Sequence, residues 1–268
     1  MFARSVRTPC CNTNVRSCEE ISRVLALCDR GLNDCEVSRR TGVPRTTVRG
    51  WRSGAAPARQ LAAARSCPVC GHPAHAFERH CSAPYAYLLG LYLGDGCLSA
   101  HPRGVYKLRI TLDARYEGIL DECAAAMRAV VPSSRPGRVR SVGCFEVTSY
   151  SKQWHCLFPQ HGPGRKHERE IVLVPWQRIV ARTQPMALLR GLIHSDGSRH
   201  LNTVRSATGK SYAYPRYEFS NRSADIRRIF TDACDRLGIA WRVMNAYNIS
   251  VARRDSIARL DAFVGPKR

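Results

Sequence analysis

The sequence predicts an α+β fold, in which a pseudo-twofold pair of αββαββα repeats follows a small all-α helix-turn-helix domain. A pattern of an apolar run, glycine and then Asp-Gly occurs in YLLGLYLGDG at 87–96 and again in LLRGLIHSDG at 188–197. Both copies continue with the same alternation of helical and extended patterns, and three short helical patterns precede them. We therefore expect a flexible tail at 1–15, a helix-turn-helix domain at 16–54, a linker at 55–84, and repeats at 85–175 and 176–268.

The net charge predicts the kind of binding partner, and the cysteines and the apolar segments predict the cellular compartment. Of the 268 residues, 42 are Lys or Arg and 21 are Asp or Glu, which leaves a formal net charge of +21. Basic residues spread along a whole chain are typical of a protein that binds a phosphate backbone. A genomic composition bias explains the preference for Arg over Lys, but not the shortage of acids. With no apolar leader and no run long enough to span a membrane, we expect a cytoplasmic, nucleoid-associated protein with reduced thiols.

The first predicted domain consists of three short helices. The first helix has an apolar face, made by Ile21, Val24, Leu25 and Leu27. Gly31 ends it, and Asn33 is expected to cap a second helix that carries Val37. A tight turn then leads to a third helix from about Pro44 to Arg52. A turn with glycine before the last of three helices is typical of a helix-turn-helix.

The third helix is the candidate DNA-recognition helix. Val48 and Trp51 are expected to face inward on this helix. The side chains expected to face outward suit base edges and phosphates, namely Arg45, Thr46, Thr47, Arg49 and Arg52. The alternative is a small helical bundle with a solvated basic face.

The linker contains a candidate zinc site in the stretch CPVCGHPAHAFERHC. Cys67 and Cys70, followed by glycine, resemble a zinc knuckle, because such a turn presents two thiolates to one tetrahedral ion. The second ligand pair stays open at this level: Cys81 could act with His80, His75 or His72. A cysteine-rich turn without metal is the alternative.

An internal repeat covers the rest of the chain. Asp95 and Asp196 lie 101 positions apart, helix-like residues 113–130 match 221–239, and 145–158 match 248–263. HGPGRK at 161–166 is matched by VGPKR near the last residue. Two copies of one unit in one chain predict a monomer with internal pseudo-twofold symmetry, which suits double-stranded DNA.

The predicted strands are two-faced. In YKLRITL at 106–112, alternate residues are apolar, and Lys107, Arg109 and Thr111 point to the other side. In PRYEFS at 215–220, Tyr217 and Phe219 are expected to face inward and Arg216 outward. A basic, hydrogen-bonding face is what a sheet lying in a DNA groove needs. A solvated charged face is the alternative for any single strand.

The two apolar runs are expected to form a pair of touching helices that end in carboxylates. The small residues Gly90 and Gly94, and Gly191 and Ser195, are spaced i, i+4, so two backbones are able to approach closely. Asp95 and Asp196 then lie side by side, before glycines expected to close each helix in the left-handed conformation. Like charges at helix C-termini repel. A divalent cation such as Mg²⁺ would offset this repulsion and support phosphodiester hydrolysis.

The two motifs resemble the signatures of the LAGLIDADG homing endonuclease family, and the similarity covers about residues 85–268. GPGRKHEREIVLVPWQ at 162–177 also resembles the basic loop and following proline between that family's repeats. The resemblance implies saddle-shaped sheets over the major groove, one catalytic acidic residue per motif (Asp95 and Asp196), and Mg²⁺. It further implies an assisting basic residue near the end of each fourth strand, Lys152 and Arg254, and a phosphate contact at Lys166.

Two positions depart from the signature. His194 and Leu93 stand where the family pattern has an acidic residue. Three functions are compatible with the sequence: a monomeric, Mg²⁺-dependent, site-specific DNA endonuclease, favoured by both aspartates; a transcriptional regulator that uses the same fold only to read DNA; and an RNA-binding role.

Overall fold

The computed structural model describes residues 18–55, 67, 70, 82–206, 208–265 and 267. The chain divides into two units, Met1–His75 and Ala76–Arg268. The predicted tail at 1–15, most of the linker at 55–84, and the candidate zinc ligands His80 and Cys81, with the alternatives His72 and His75, lie outside the described residues.

The N-terminal unit contains helices α1 (Cys18–Asp29), α2 (Asp34–Thr41) and α3 (Arg45–Gly50), the last continuing into one wider turn, Trp51–Ala55. Their apolar faces close around one small core, made by Ile21, Val24, Val37, Val43, Val48 and Trp51. The expected Asn33 cap is also present. The Asn33 Oδ1 atom accepts a hydrogen bond from the Glu36 N–H at 3.0 Å, and Gly42 adopts φ +71° at the end of α2.

The second unit contains the two repeats, with the predicted order of elements in each. The first repeat has α4 (Ala83–Asp95), β1 (Gly96–His101), β2 (Val105–Asp113), α5 (Glu117–Val130), β3 (Gly137–Ser141), β4 (Cys144–Ser151) and the short α6 (Trp154–Leu157). After the linking helix α7 (Pro175–Thr183), the second repeat has α8 (Pro185–Asp196), β5 (Gly197–Arg205), β6 (Ser211–Ser220), α9 (Ala224–Arg236), β7 (Arg242–Val243), β8 (Asn248–Val251) and α10 (Arg254–Val264). The predicted α+β class is confirmed.

Each repeat forms one four-stranded antiparallel sheet. The strand orders are β1-β2-β4-β3 and β5-β6-β8-β7, so the two sheets have the same topology. The predicted alternation holds in both. Leu108, Ile110 and Leu112 are buried in the first sheet, and Tyr217 and Phe219 in the second. These side chains pack with the helices in one continuous core. Each sheet therefore has an apolar face on the helices and a polar face away from them.

The β5–β6 pair extends past the rest of its sheet. Its ladder runs from Gly197↔Phe219 to Arg205↔Ser211, whereas β8 pairs only with Tyr217–Ser220. Tyr212 and Tyr214 lie on the projecting part, exposed, with their rings stacked at 6.3 Å. Among the residues described, no helix has the length and apolar character needed to cross a membrane.

Candidate functional site

Helices α4 and α8 pack against each other with their backbones in contact, as the glycine spacing predicts. A Cβ atom on Gly90 would lie 2.5 Å from the carbonyl oxygen of Leu188. A Cβ on Gly191 would lie 2.1 Å from the carbonyl oxygen of Tyr87. Real Cβ atoms do not approach backbone this closely, so only glycine fits at these two positions.

The same approach continues to the end of both helices. A Cβ on Gly94 would lie 3.0 Å from Asp196 Oδ2, so the helix that carries Asp95 runs directly beside the carboxylate of its counterpart. Gly96 and Gly197 are not left-handed, which corrects the expected helix closure: their φ angles are −87° and −103°. Glycine is needed there because a Cβ on Gly96 would meet the Tyr92 backbone at 2.4 Å, as β1 departs sharply from α4.

The two carboxylates influence each other's protonation. Crowding by protein atoms and the nearby negative charge of Asp196 raise the pKa of Asp95 to about 6. Burial also raises the pKa of Asp196, although the Asn221 amide, which donates to Asp196 Oδ2 at 2.5 Å, and two lysines oppose the shift. Burial therefore outweighs the two lysines, and the raised pKa values show that the carboxylates are incompletely stabilised in their charged form. Two adjacent carboxylates of this kind fit the hard oxygen ligands that Mg²⁺ takes.

Lys166 lies at the C-terminus of α4. Its ammonium group donates to the carbonyl oxygens of Tyr92, Leu93 and Gly94 at 2.6, 3.0 and 2.5 Å. These carbonyls carry the negative end of the helix dipole, which a cation stabilises. Burial lowers the pKa of Lys166 to about 8, and the charges of Asp196 and Asp95 act against that shift. Lys166, predicted as a phosphate contact, thus belongs to the environment of both carboxylates.

A second lysine, Lys267, acts on the same pair of carboxylates from the second repeat. It stands 101 positions after Lys166, and its ammonium group donates to the carbonyl oxygen of Gly197 at 2.5 Å. Burial lowers the pKa of Lys267, with Asp95 and Asp196 as the charges that oppose the shift most. The match between HGPGRK and VGPKR was the signal that could have identified it.

The assisting residues implied by the family resemblance are Lys152 and Arg254. Lys152 follows β4 and Arg254 begins α10, and both side chains are exposed. The cations that act on the pKa values of Asp95 and Asp196 are Lys166 and Lys267. The role of Lys152 and Arg254 therefore stays a prediction, and the structure adds Lys267 to the predicted Lys166 as a cation near both carboxylates.

A cavity of about 540 Å³ opens beside Asp95. Lys267, Asp113 and Tyr116 line it together with the beginning of β5. Asn221, which contacts Asp196, has no counterpart of this kind beside Asp95 among the hydrogen bonds of the described residues. The two carboxylates thus have different surroundings, and neither Asn221 nor the cavity had a signal in the sequence.

The polar face of the first sheet carries the predicted contact residues. Lys107, Arg109 and Thr111 alternate with the buried positions of β2, as expected. The Lys107 ammonium lies 6.0 Å from the ring centre of Tyr150, and Arg109 Nη1 lies 3.3 Å from Glu146 Oε1. The face is therefore mainly basic and aromatic, and Glu146 orients Arg109.

The polar face of the second sheet includes Arg216 and the projecting tyrosines. Arg216 alternates with buried Tyr217, and its Nε atom is buried without a hydrogen-bond partner among the described residues. His200 lies across the ladder from Arg216. Donors of this kind on a sheet face suit phosphate and base-edge acceptors.

In the N-terminal unit, α3 exposes Arg45 and Thr46 and half-buries Thr47. Two of the predicted contact residues also have an internal role. Arg52 Nε lies 2.9 Å from Asp34 Oδ1, and Arg49 Nε lies 3.5 Å from Asp34 Oδ2. Arg52 additionally donates to the carbonyl oxygen of Leu32. Arg49 and Arg52 thus pair with Asp34 at the beginning of α2, and their role as DNA contacts stays a prediction.

Of the candidate zinc ligands, the structure describes Cys67 and Cys70. Cys70 is buried at 8% exposure and Cys67 is half-buried. Partly buried thiols at this spacing are compatible with a structural ion and also with packing without metal.

The raised pKa of Asp95 predicts how stability depends on pH in metal-free protein. Between pH 3.8 and about 6 the folded state binds more protons at Asp95 than the unfolded state, so the stability contributed by this group falls as pH rises through that window. Urea unfolding in EDTA should show that the free energy of unfolding of Asp95→Asn rises relative to that of the native protein from pH 4 to 6. Above pH 6 the difference between the two proteins should stay constant. Asp232→Asn, at an exposed carboxylate of α9, is the control. A pH-independent difference for Asp95→Asn would contradict the assignment.

Comparisons with known proteins find distant structural likenesses only. No protein family model matches the chain, and no curated protein does. Among solved structures, it is similar to mesophilic variants of the homing endonuclease I-DmoI, at 20% identity and a TM-score of 0.47 over 69% of this chain and 97% of that one.

I-DmoI in complex with DNA and Mn is similar at 20% identity and a TM-score of 0.48, over 69% and 98% of the two chains. A point mutant of I-SmaMI is similar at 12% identity and a TM-score of 0.45, over 65% and 81%. The identities are low, and the function proposed below is argued from this chain's own residues.

Proposed function

We propose that this protein is a Mg²⁺-dependent, site-specific DNA endonuclease. The observation that carries the proposal is the pair of carboxylates, Asp95 and Asp196, brought together by two glycine-packed helices and flanked by two lysines. A structural role alone would not favour two adjacent acids whose pKa values are raised by crowding. The net charge of +21 and the polar sheet faces supply the surface for the nucleic acid.

Each group at this centre has a definite task. Asp95 and Asp196 would hold the cation, since both offer carboxylate oxygens at the junction of the repeats. Mg²⁺, when bound, would neutralise this pair and lower the pKa of an attacking water. Lys166 and Lys267 place positive charge where negative charge develops on a phosphate during hydrolysis. Asn221 orients the carboxylate of Asp196 through its amide hydrogen bond.

The two sheets would read the DNA sequence. Lys107, Arg109, Thr111 and Arg216 offer hydrogen-bond donors on the faces turned away from the core, and bidentate contacts of arginine to guanine are the commonest specific readout. Because the β5–β6 ribbon is longer than its counterpart, we expect the second repeat to contact more base pairs than the first. Arg45, Thr46 and Thr47 of α3 would extend the target beyond the repeats. One chain with two repeats would act as a monomer in the nucleoid of the cytoplasm.

The test is to incubate the pure protein with fragmented DNA from its source and Mg²⁺, and to sequence both bound fragments and cleaved ends. Discrete ends that require Mg²⁺ support an endonuclease. Discrete bound sites without ends would contradict the cleavage proposal and favour a regulator that reads DNA with the same fold. Preference for RNA over duplex DNA would contradict both.

Removal of Lys166 should slow cleavage more than removal of Lys152. Lys166→Met takes a cation away from both carboxylates, so we expect single-turnover cleavage to slow by about a hundredfold or more, with a smaller effect on DNA affinity. Lys152→Met is the matched control, because Lys152 is an exposed lysine that follows β4. A loss in Lys152→Met as large as that in Lys166→Met would contradict this ranking and support the assisting role implied for Lys152.

We also propose that Cys67 and Cys70 bind structural zinc. Two thiolates from one CxxC turn support this, with His80 and Cys81 as the candidate partners. Elemental analysis of purified protein should find about one zinc per chain, lost in Cys67→Ser together with thermal stability. Metal-free protein of unchanged stability would overturn the zinc proposal without affecting the endonuclease proposal.

A further inference from the structure

His194 departs from the family signature, and its surroundings indicate a task that the catalytic proposal does not include. It lies two residues before Asp196 on α8 and is buried at 4% exposure. Its Nδ1 atom lies 2.9 Å from the Tyr87 hydroxyl, and its Nε2 atom lies 3.2 Å from the carbonyl oxygen of Val264. A carbonyl oxygen only accepts, so Nε2 must carry the proton, and the Tyr87 hydroxyl then donates to Nδ1.

A second donor on α8 contacts the same segment. Arg190, one helical turn before His194, donates from Nη1 to the carbonyl oxygen of Phe263 at 2.7 Å. Its guanidinium is held from the other side by Glu122, through two hydrogen bonds of 2.6 and 3.1 Å. Phe263 and Val264 are the last residues of α10, whose terminal carbonyls lack partners within the helix. Arg190 and His194 therefore cap the C-terminus of α10.

The capped helix end leads directly to the lysine of the second repeat. Gly265 adopts φ +70°, which redirects the chain after α10. Two residues later, the Lys267 ammonium reaches the carbonyl oxygen of Gly197 and the charges of both aspartates. The place of Lys267 thus depends on where α10 ends, and the side chains that hold this end come from the helix that carries Asp196.

The first repeat holds the end of its last helix in another way: the Tyr85 hydroxyl of α4 donates to the carbonyl oxygen of Leu157, the last residue of α6, at 2.7 Å. The positions that correspond to Arg190 and His194, 101 residues earlier, are Leu89 and Leu93, both fully buried and apolar. Lys166 is instead anchored by its own three hydrogen bonds to α4. The two lysines are therefore held by different means, although both act on the same two carboxylates.

We propose that His194, together with Arg190, is a positioning residue that places Lys267 at the paired carboxylates. The inference deepens the proposed endonuclease function and rests on it for its consequence, but the positioning itself is a property of the folded protein. His194 does not contact the substrate in this scheme. It acts through the end of α10, and its effect is confined to the second lysine.

The test compares the reactivity of individual lysines in His194→Leu and in the native protein. Pulse acylation of amines followed by mass spectrometry should show a several-fold rise at Lys267, no change at Lys166, and no change at Lys210, an exposed reference. His194→Gln retains an amide donor for the Val264 carbonyl and should restore protection. A similar rise at Lys166 and Lys267 would indicate general loosening and overturn the proposal, as would an unchanged Lys267. Tyr87→Phe, which removes the hydroxyl that contacts Nδ1 and keeps the ring, gives a milder version should the leucine variant fail to fold.

Cleavage provides the second readout. We expect His194→Leu to slow single-turnover cleavage by about tenfold or more at unchanged DNA affinity. The loss should disappear in the Lys267→Met background and persist in the Lys166→Met background. Equal losses in both backgrounds would contradict the proposal. If the native protein cuts no DNA, the endonuclease proposal fails, while the lysine reactivities still decide the positioning role.

Discussion

Asp95→Asn should abolish DNA cleavage and leave DNA binding intact or tighter. The substitution removes one of the two carboxylates that would hold the cation, so we expect cleavage to fall by about a thousandfold or more. It also removes a negative charge that faces the phosphates and the carboxylate of Asp196. Single-turnover cleavage and a binding titration in Ca²⁺ measure the two effects separately.

Two comparisons make this result specific. Asp196→Asn should give the same loss, since both carboxylates serve one centre, whereas Asp232→Asn, on the exposed side of α9, should cut at the native rate. Added Mg²⁺ should raise the thermal stability of the native protein and much less that of Asp95→Asn. Native cleavage rates in either active-site variant would show that the metal centre has been placed wrongly.

Gly191→Ala should strongly destabilise the second unit. The new Cβ would lie 2.1 Å from the Tyr87 carbonyl oxygen and 3.0 Å from the Gly90 Cα, both backbone atoms of the partner helix. Backbone has no rotamer with which to yield, so α4 and α8 must separate. We expect a loss of about 3 kcal/mol or more in the free energy of unfolding. Urea denaturation of the native and variant proteins measures it.

A matched control is available in the same unit. Gly137 begins the edge strand β3, and a Cβ there meets no atom within 4 Å. Gly137→Ala should therefore leave the unfolding midpoint nearly unchanged. Comparable midpoints for the two alanine variants would mean that the helices do not touch at Gly191 in solution.

The sequence was a good guide to the features that depend on local periodicity. The repeat order, the inward and outward residues of 106–112 and 215–220, and the Asn33 cap all follow from spacing over a few residues, and the structure has them. The glycine spacing of 87–96 and 188–197 also predicted the helix pair correctly. It misjudged Gly96 and Gly197, because the need for glycine there comes from the close passage of β1 and β5 over the preceding helices, which no local pattern encodes.

The sequence by itself therefore determined that two Asp residues end two glycine-spaced helices within a duplicated, basic chain. Only the tertiary structure decided which cations lie near these carboxylates. Lys166 and Lys267 come from segments distant in the chain, and no short-range sequence pattern relates their positions to those of the two aspartates. It also placed His194 within hydrogen-bond distance of the Val264 carbonyl oxygen, and the Asn221 amide within hydrogen-bond distance of the Asp196 carboxylate. Such contacts depend on how helix ends meet after folding, which spacing along one chain does not specify.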